Sequence, residues 1–449
     1  MLAALSNIFK IPDLRKKIFI TFGLIAVYRL GAYIPTPGID GAALAQFFEN
    51  MAKSTGGTLF GIMDLFSGGA ISKLTIFALG IMPYISSSII MQLLTTVVPS
   101  LEKLAKEGGE EGRKKITQYT RLGTVLLAIV QAFFISLWVE NPAHFQGVQI
   151  VQFPGLGFRL LTILTFASGT AFIMWLGEQI SEYGIGNGMS IIITAGIVSR
   201  LPVAIRQLIM LLSPTSTSQT QVSVFKLLFM IFLLIVVIVA VIMITQGQRR
   251  IPVQYAKRII GRKVYGGQST YIPFRVNHAG VIPIIFAQSL LMFPATIAGF
   301  IPNQGFQNAA NFLLKQNLVY SLLYSLLIIF FCYFYTAITF NPVEVSDNMK
   351  KYGGFIPGIR PGKPTAQYFE YILNRVTLPG AIFLALIAIS PNWISRSLHI
   401  PYLVASFFGG TAILITVGVM LDTMKQVESQ LLMRHYEGFL KKGKLRSRR

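Results

Sequence analysis

A chain of 449 residues that is 53% hydrophobic, only 12% charged and yet carries a net charge of +22 does not have the composition of a soluble globular protein. Its mean hydropathy of +0.61 also excludes a soluble basic nucleic-acid binder, whose helices would each need a polar face. A single cysteine, Cys332, rules out a disulfide framework. The four histidines, His144, His278, His399 and His435, lack ligand spacing, and no H-E-x-x-H, Walker or strand-preceded G-x-G-x-x-G pattern is present.

The apolar residues collect into ten stretches, each near the length of about 17 to 25 residues that crosses a bilayer as a helix. In chain order the expected spans are Ile18 to Ile34, Leu74 to Val98, Thr120 to Val139, Phe158 to Ile180 and Gly188 to Leu212. Five more follow: Val222 to Thr245, Ala279 to Ile301, Leu318 to Phe340, Leu378 to Ser390 with extensions, and Leu403 to Leu421. Arg15, Lys16 and Lys17 precede the first run as they would in a signal peptide. Its end, Tyr33-Ile34-Pro35-Thr36-Pro37-Gly38, has no small residues at a cleavage spacing, so a retained helix is expected.

Between the first two spans, Leu59 to Pro99 is too long for one crossing and too short for two with a loop. Gly68-Gly69 and Lys73 divide it into a short apolar piece and a full span. A half-helix that enters and folds back fits this length, and such backbone is stable at membrane depth only when buried in protein or lining a cavity. A plain loop is the other reading of the glycine pair.

Of the 39 Lys and Arg, 29 fall at the termini and in alternate gaps, with Arg121 one residue inside the third span on the same side, which places both termini and those gaps in the cytosol. Residues 1–212 then hold five spans, and residues 213–424 hold five inserted upside down, the arrangement of inverted halves around a central path. A basic cytosolic tail, 425–449, closes the chain. Well inside the spans lie Arg29, Arg200 and Arg206, with Glu178 and Asp422 near span ends; long basic side chains there commonly snorkel to water.

Two long cytosolic loops interrupt the second half, at 247–277 and 341–377. In the first, Arg250 to Ala256 and Ser269 to Val276 are rich in β-formers, with Gly266-Gly267 as the expected turn of a hairpin. In the second, Gly353-Gly354, Pro357-Gly358 and Pro361-Gly362 make turns that hold Arg360 at a tip. Basic fingers on one face suit an RNA or an acidic protein surface, or else anionic lipid head groups.

The stretches LFSGGAISKLTIFALGIMPYISSSIIMQLLT (Leu65 to Thr95), GQRRIPVQYAKR (Gly247 to Arg258), VYGGQSTYIPFRVNHAGVIPIIFA (Val264 to Ala287) and GFIPGIRPGKPTAQY (Gly354 to Tyr368) resemble the SecY family, the channel subunit of the general protein translocon. The resemblance covers nearly the whole chain. It implies an all-α integral membrane protein, with ten transmembrane helices in two inverted five-helix halves around a central pore and a re-entrant plug half-helix within about 59–73. The plug would include Asp64, Leu65, Phe66, Ser67, Gly68, Gly69, Ala70 and Ile71. By motif, the pore ring maps to Ile81, Ile85, Ile193, Ile282 and Ile415, with Met189 near the ring where related chains often carry Ile. Apolar side chains in a narrow pore exclude ions by dewetting and can spread around a passing chain.

The resemblance also implies a lateral gate between spans 2 and 3 on one side and 7 and 8 on the other. Gln92 and Gln131 would be polar residues across that seam. Arg249, Arg250, Lys257, Arg258 and Arg360 match loop positions that touch the SecA motor or the ribosome. Further implied partners are the small membrane subunits SecE and SecG, signal peptides, unfolded precursor proteins and anionic lipids, at the cytoplasmic membrane. No cofactor is implied, and the chain is not expected to be an enzyme. An ion-coupled secondary transporter is the competing reading of the inverted halves and the broken helix. It wants ionisable residues at mid-membrane, which are scarce here. A lipid scramblase or a scaffold would need a polar groove that no span displays.

Overall fold

The computed structural model describes residues 11–41, 43–44, 47, 64–145, 149–212, 224–255, 258–260, 263–265, 269–300, 318–398 and 400–442. Each of the ten expected spans contains a helix, because inside lipid a backbone must satisfy its polar groups within its own segment. Helix α1, Pro12–Gly31, opens with proline in its first turn and Asp13 beside the positive end of the helix dipole. Among the described residues six helices are long and apolar enough to cross a membrane, or eight if each of two bent pairs counts as one span. Helix α1 and the helix at Ile282–Phe300 complete the set of ten.

The second span starts later than expected. Helix α2 is Met82–Val97, and 74–81 forms turns instead. Leu74 and Gly80 take positive φ angles of 40° and 57°, and Pro83 fixes the helix start. The backbone of this stretch finds its partners across the chain: Thr36 N–H donates to the Leu74 carbonyl at 3.1 Å, and Ile76 N–H to the Ile34 carbonyl at 3.0 Å. The preceding segment is helical only at 64–66 and continues as turns; its first part, 59–63, lies outside the described residues.

Helix α3, Pro99–Lys106, turns away from α2 by 98°, and helices α4, Gly109–Glu140, and α5, Leu156–Tyr183, follow. The fifth span is two helices, α6 at Gly188–Ser199 and α7 at Leu201–Leu212, with Arg200 at the junction. Asn187 caps α6 by accepting the Ser190 N–H.

In the second half, α8 is Val224–Gln246, α9 Ile282–Phe300, α10 Leu318–Thr339 and α11 Pro342–Lys351. Helix α12, Lys363–Leu398, extends the short ninth span to 36 residues by reaching into the preceding loop. The tenth span is broken at Gly410 into α13, Tyr402–Gly409, and α14, which runs Thr411–Lys442 and so carries much of the expected tail as continuous helix. A Cβ at Gly410 would lie 2.0 Å from Pro391 Cγ, so the close approach of α12 requires glycine there.

Helix α4 packs on α2 and α5, and α10 packs on α9 and α12. The halves meet on one side through α6 and α14, and on the other through α9 against α2 and α4. The main buried cluster draws on both halves, from Tyr28 to Val419.

Strands β1, Gln248–Tyr255, and β4, Ser269–Arg275, pair antiparallel, with Ile251 opposite Ile272. Between them strands β2, Arg258–Ile260, and β3, Lys263–Tyr265, pair antiparallel as a further hairpin, and the expected turn at Gly266-Gly267 lies outside the described residues. Strand β5, Gly354–Phe355, comes from the other long loop, 341–377, and adds to the free edge of β1. The two expected fingers are therefore one body, with Ile251, Val253, Phe274, Met349, Ile356 and Phe369 in a shared apolar cluster.

Candidate functional site

The segment 64–73 lies in the interior of the helical body. Leu65, Phe66, Ser67 and Ala70 are buried, and Ile71 nearly so. Its fold follows from two short-range contacts of Asp64, whose carbonyl accepts the Gly69 N–H at 2.9 Å and whose carboxylate accepts the Ser72 N–H at 2.9 Å. Gly68 and Gly69 take φ angles of 66° and 92°, a region that penalises a Cβ.

The walls hold this segment by its carbonyls. Arg29 Nη1 donates to the Gly68 carbonyl at 3.1 Å, Tyr28 to the Ser67 carbonyl at 3.4 Å, and Ser199 to the Gly68 carbonyl at 3.4 Å. Arg200 forms an ion pair with the Asp64 carboxylate and donates to Ser72 Oγ at 3.0 Å. Two of the three span arginines are thus structural partners of the segment rather than side chains reaching for water; Arg206, in contrast, is exposed. Tyr28, Ser199 and this use of Arg29 and Arg200 were missed by sequence reasoning. The available signal was the rarity of charge inside apolar spans.

Ile81, Ile85, Ile193 and Ile415 are all buried in the main cluster, and half-buried Ile282 and Met189 pack against it. They come from the turn before α2, from α2, α6, α9 and α14, so both halves contribute. Leu65, Phe66 and Ala70 belong to the same cluster, which joins the 64–73 segment to the five isoleucines.

Along the seam where α9 meets α2 and α4, Gln92 and Gln131 are both half-buried, and no hydrogen bond links them among the described residues. Gln92 instead meets the hydroxyl of Tyr335 on α10. Phe286 of α9 stands edge-on to Phe331 and Tyr335 of α10, with centroids 5.8 and 5.7 Å away. An apolar aromatic seam with one polar contact can separate at modest cost. At the neighbouring helix ends, Arg121 of α4 pairs with Glu178 of α5 at 2.7 Å, which accounts for that span-end carboxylate.

On the three-stranded sheet, Arg249 and Arg250 are exposed on β1, and the Arg250 guanidinium lies 4.7 Å from the Tyr271 ring centroid. Arg360 is exposed at its tip, braced where Thr365 Oγ1 donates to the Arg360 carbonyl at 2.8 Å and Ser346 Oγ to the Gly362 carbonyl at 2.7 Å. Arg258 lies on β2, and Lys257 is outside the described residues. Among the described residues no group of three or more His, Cys, Asp or Glu could hold a metal ion.

Three comparisons bear on this arrangement. The SecY family model matches residues 75–424. Protein translocase subunit SecY of Streptomyces scabiei is 48% identical over 98% of this chain and 100% of its own, and that of Chlamydia muridarum is 44% identical over 100% of both. Among solved structures, one described as a protein conducting channel superposes with a TM-score of 0.59 at 17% identity, covering 95% of this chain and 96% of its own. Another, in which the plug domain of SecY is described as stabilising the closed state, gives 0.61 at 18% identity over the same shares. A channel from a canine ribosome–channel complex of the endoplasmic reticulum gives 0.58 at 16%. With a family model spanning most of its length and full-length relatives well above 40% identity, the chain belongs to the SecY family.

Proposed function

We infer that this chain is a protein-conducting channel: it passes unfolded secretory polypeptides across the cytoplasmic membrane and releases transmembrane segments sideways into lipid, and it catalyses no reaction. The carrying observation is that four isoleucines from both halves share one buried cluster with a re-entrant segment, and half-buried Ile282 packs against it. Such a cluster is an apolar constriction with a stopper against it, a seal made without charge. The constriction is Ile81, Ile85, Ile193, Ile282 and Ile415; the plug is 64–73; the exit to lipid is the seam of α2 and α4 against α9 and α10. The driving force comes from outside. The basic sheet bearing Arg249, Arg250 and Arg258, with Lys257 beside it in sequence and Arg360 on the adjoining loop, docks a SecA-type motor ATPase or a translating ribosome. Both termini face the cytosol, and SecE and SecG complete the complex in the membrane.

The test is to reconstitute the chain with SecE and SecG in vesicles, add SecA and a signal-bearing precursor, and ask whether the precursor becomes protease-protected. Protection that requires both ATP and the signal supports the channel. Coupled accumulation of a small solute, with no protection of precursor, would replace it with a transporter.

A further inference from the structure

Arg200 stands at the break between α6 and α7. The twelve residues of α6 that lead to it from the cytosolic side rise about 18 Å at 1.5 Å per residue. That is past the middle of a hydrocarbon core roughly 30 Å thick, where ionised side chains are rare and mark function. Its side chain and that of Asp64 are each only 14% exposed. The guanidinium lies flat on the plug backbone: a Cβ on Gly69 would come within 2.9 Å of Arg200 Cζ. Its Nε finds no acceptor among the described residues, while Nη2 reaches both Asp64 and Ser72. The hydrogen bonds of Arg29, Tyr28 and Ser199 to the plug go to backbone carbonyls, which any plug sequence would offer. The contact of Arg200 depends on the plug's own side chains.

We propose that Asp64 and Arg200 form a charge latch that sets how readily the plug leaves the pore, with Arg200 as a positioning residue on the wall. The inference rests on reading 64–73 as the plug. Asp64 serves twice, folding the segment through Gly69 and Ser72 and fastening it to the α6–α7 junction. When the plug moves, both charges lose their partner in a poorly hydrated place. The pair therefore resists displacement, and removal of one member leaves the other buried and uncompensated.

The experiment measures ion conductance of the resting channel in planar bilayers, using the full chain with its membrane partners. D64N and R200Q are each expected to raise the resting leak at least about tenfold. The double variant D64N/R200Q is expected to leak no more than either single variant, because the second substitution removes the orphaned charge. D64E and R200K keep both charges and change only the contact geometry, so they assemble by the same contacts and leak to an intermediate degree. Deleting 64–71 gives the reference leak of a channel without its plug. A deletion that leaves conductance unchanged removes the plug reading itself. A leaky deletion with tight D64N and R200Q channels keeps the plug and removes the latch. Single effects that multiply in the double variant would show two independent contacts and overturn the pair.

Discussion

Gly68 and Gly196 meet backbone to backbone: a Cβ built on Gly68 would stand 2.8 Å from the Cα of Gly196. The plug can lie against α6 only because both positions are glycine. Gly68 also takes φ of +66°, which costs an alanine about 1 kcal/mol before any clash. G68A is therefore expected to displace the plug and raise resting conductance. G196A, whose Cβ would meet the Phe66 carbonyl at 3.1 Å and the Tyr28 hydroxyl at 3.3 Å, should do so to a smaller degree. Planar-bilayer recordings decide it, and a G68A channel as tight as the unsubstituted one would mean that this contact contributes nothing to the seal.

The ring makes a separate prediction. Ile85 is buried and Ile282 half-buried, in one cluster with Leu65 and Phe66 of the plug. I85N and I282N place a hydrogen-bonding group where water is otherwise excluded, so ion leak should rise and precursors with defective signals should pass more readily. Each substitution also removes apolar burial worth about 2 to 3 kcal/mol, so thermal unfolding of the purified complex must be recorded beside conductance. Unchanged conductance in a folded channel would take these two residues out of the constriction.

At the lateral seam, the polar contact of Gln92 is with Tyr335 and not with Gln131. Y335F keeps the ring against Phe286 and deletes only the hydroxyl. Polar contacts between membrane helices are worth about 0.6 to 2 kcal/mol, so the gate should open several-fold more easily. Q92L should match it, while Q131L should have the smaller effect. The readout is disulfide trapping between cysteines placed on α2 and α10: faster trapping in Q131L than in Q92L would reverse the assignment.

These residues also mark what could be read in advance. The spans were legible because lipid forces helix on any long apolar run. The start of α2 was not, because 74–81 is as apolar as a helix, yet its backbone pairs with Ile34 and Thr36, thirty-eight to forty-two residues earlier. Local pattern carries no trace of such a partner. Arg29 and Arg200 were visible as charges in apolar runs, but Asp64 as the partner of Arg200 depends on how the plug folds back. The β-formers of the 247–277 loop were legible, whereas the joining of two loops through β5 rests on two residues, Gly354 and Phe355, too short a strand to announce itself.

That joining yields the last prediction. Arg249 and Arg250 on β1 and the loop bearing Arg360 are held as one surface because β5 pairs with the edge of β1. A Cβ at Gly354 would lie 2.9 Å from Met349 Cγ and 3.0 Å from the Tyr255 ring, so G354V should unpair the strands and separate the loops without touching a charge. R250E and R360E keep the sheet and reverse the charge, which costs a partner its complementary contact and slows its association more than it alters the fold. If a motor or ribosome docks on the assembled surface, all three variants should slow precursor translocation several-fold at equal amounts of membrane-inserted protein. Only G354V should also make the loops more sensitive to protease. A G354V channel with cleaved loops and full translocation rate would show that the arginines act singly. Full rates in R250E and R360E would assign the basic surface to lipid head groups, a role that vesicle binding with and without anionic lipid would then measure directly.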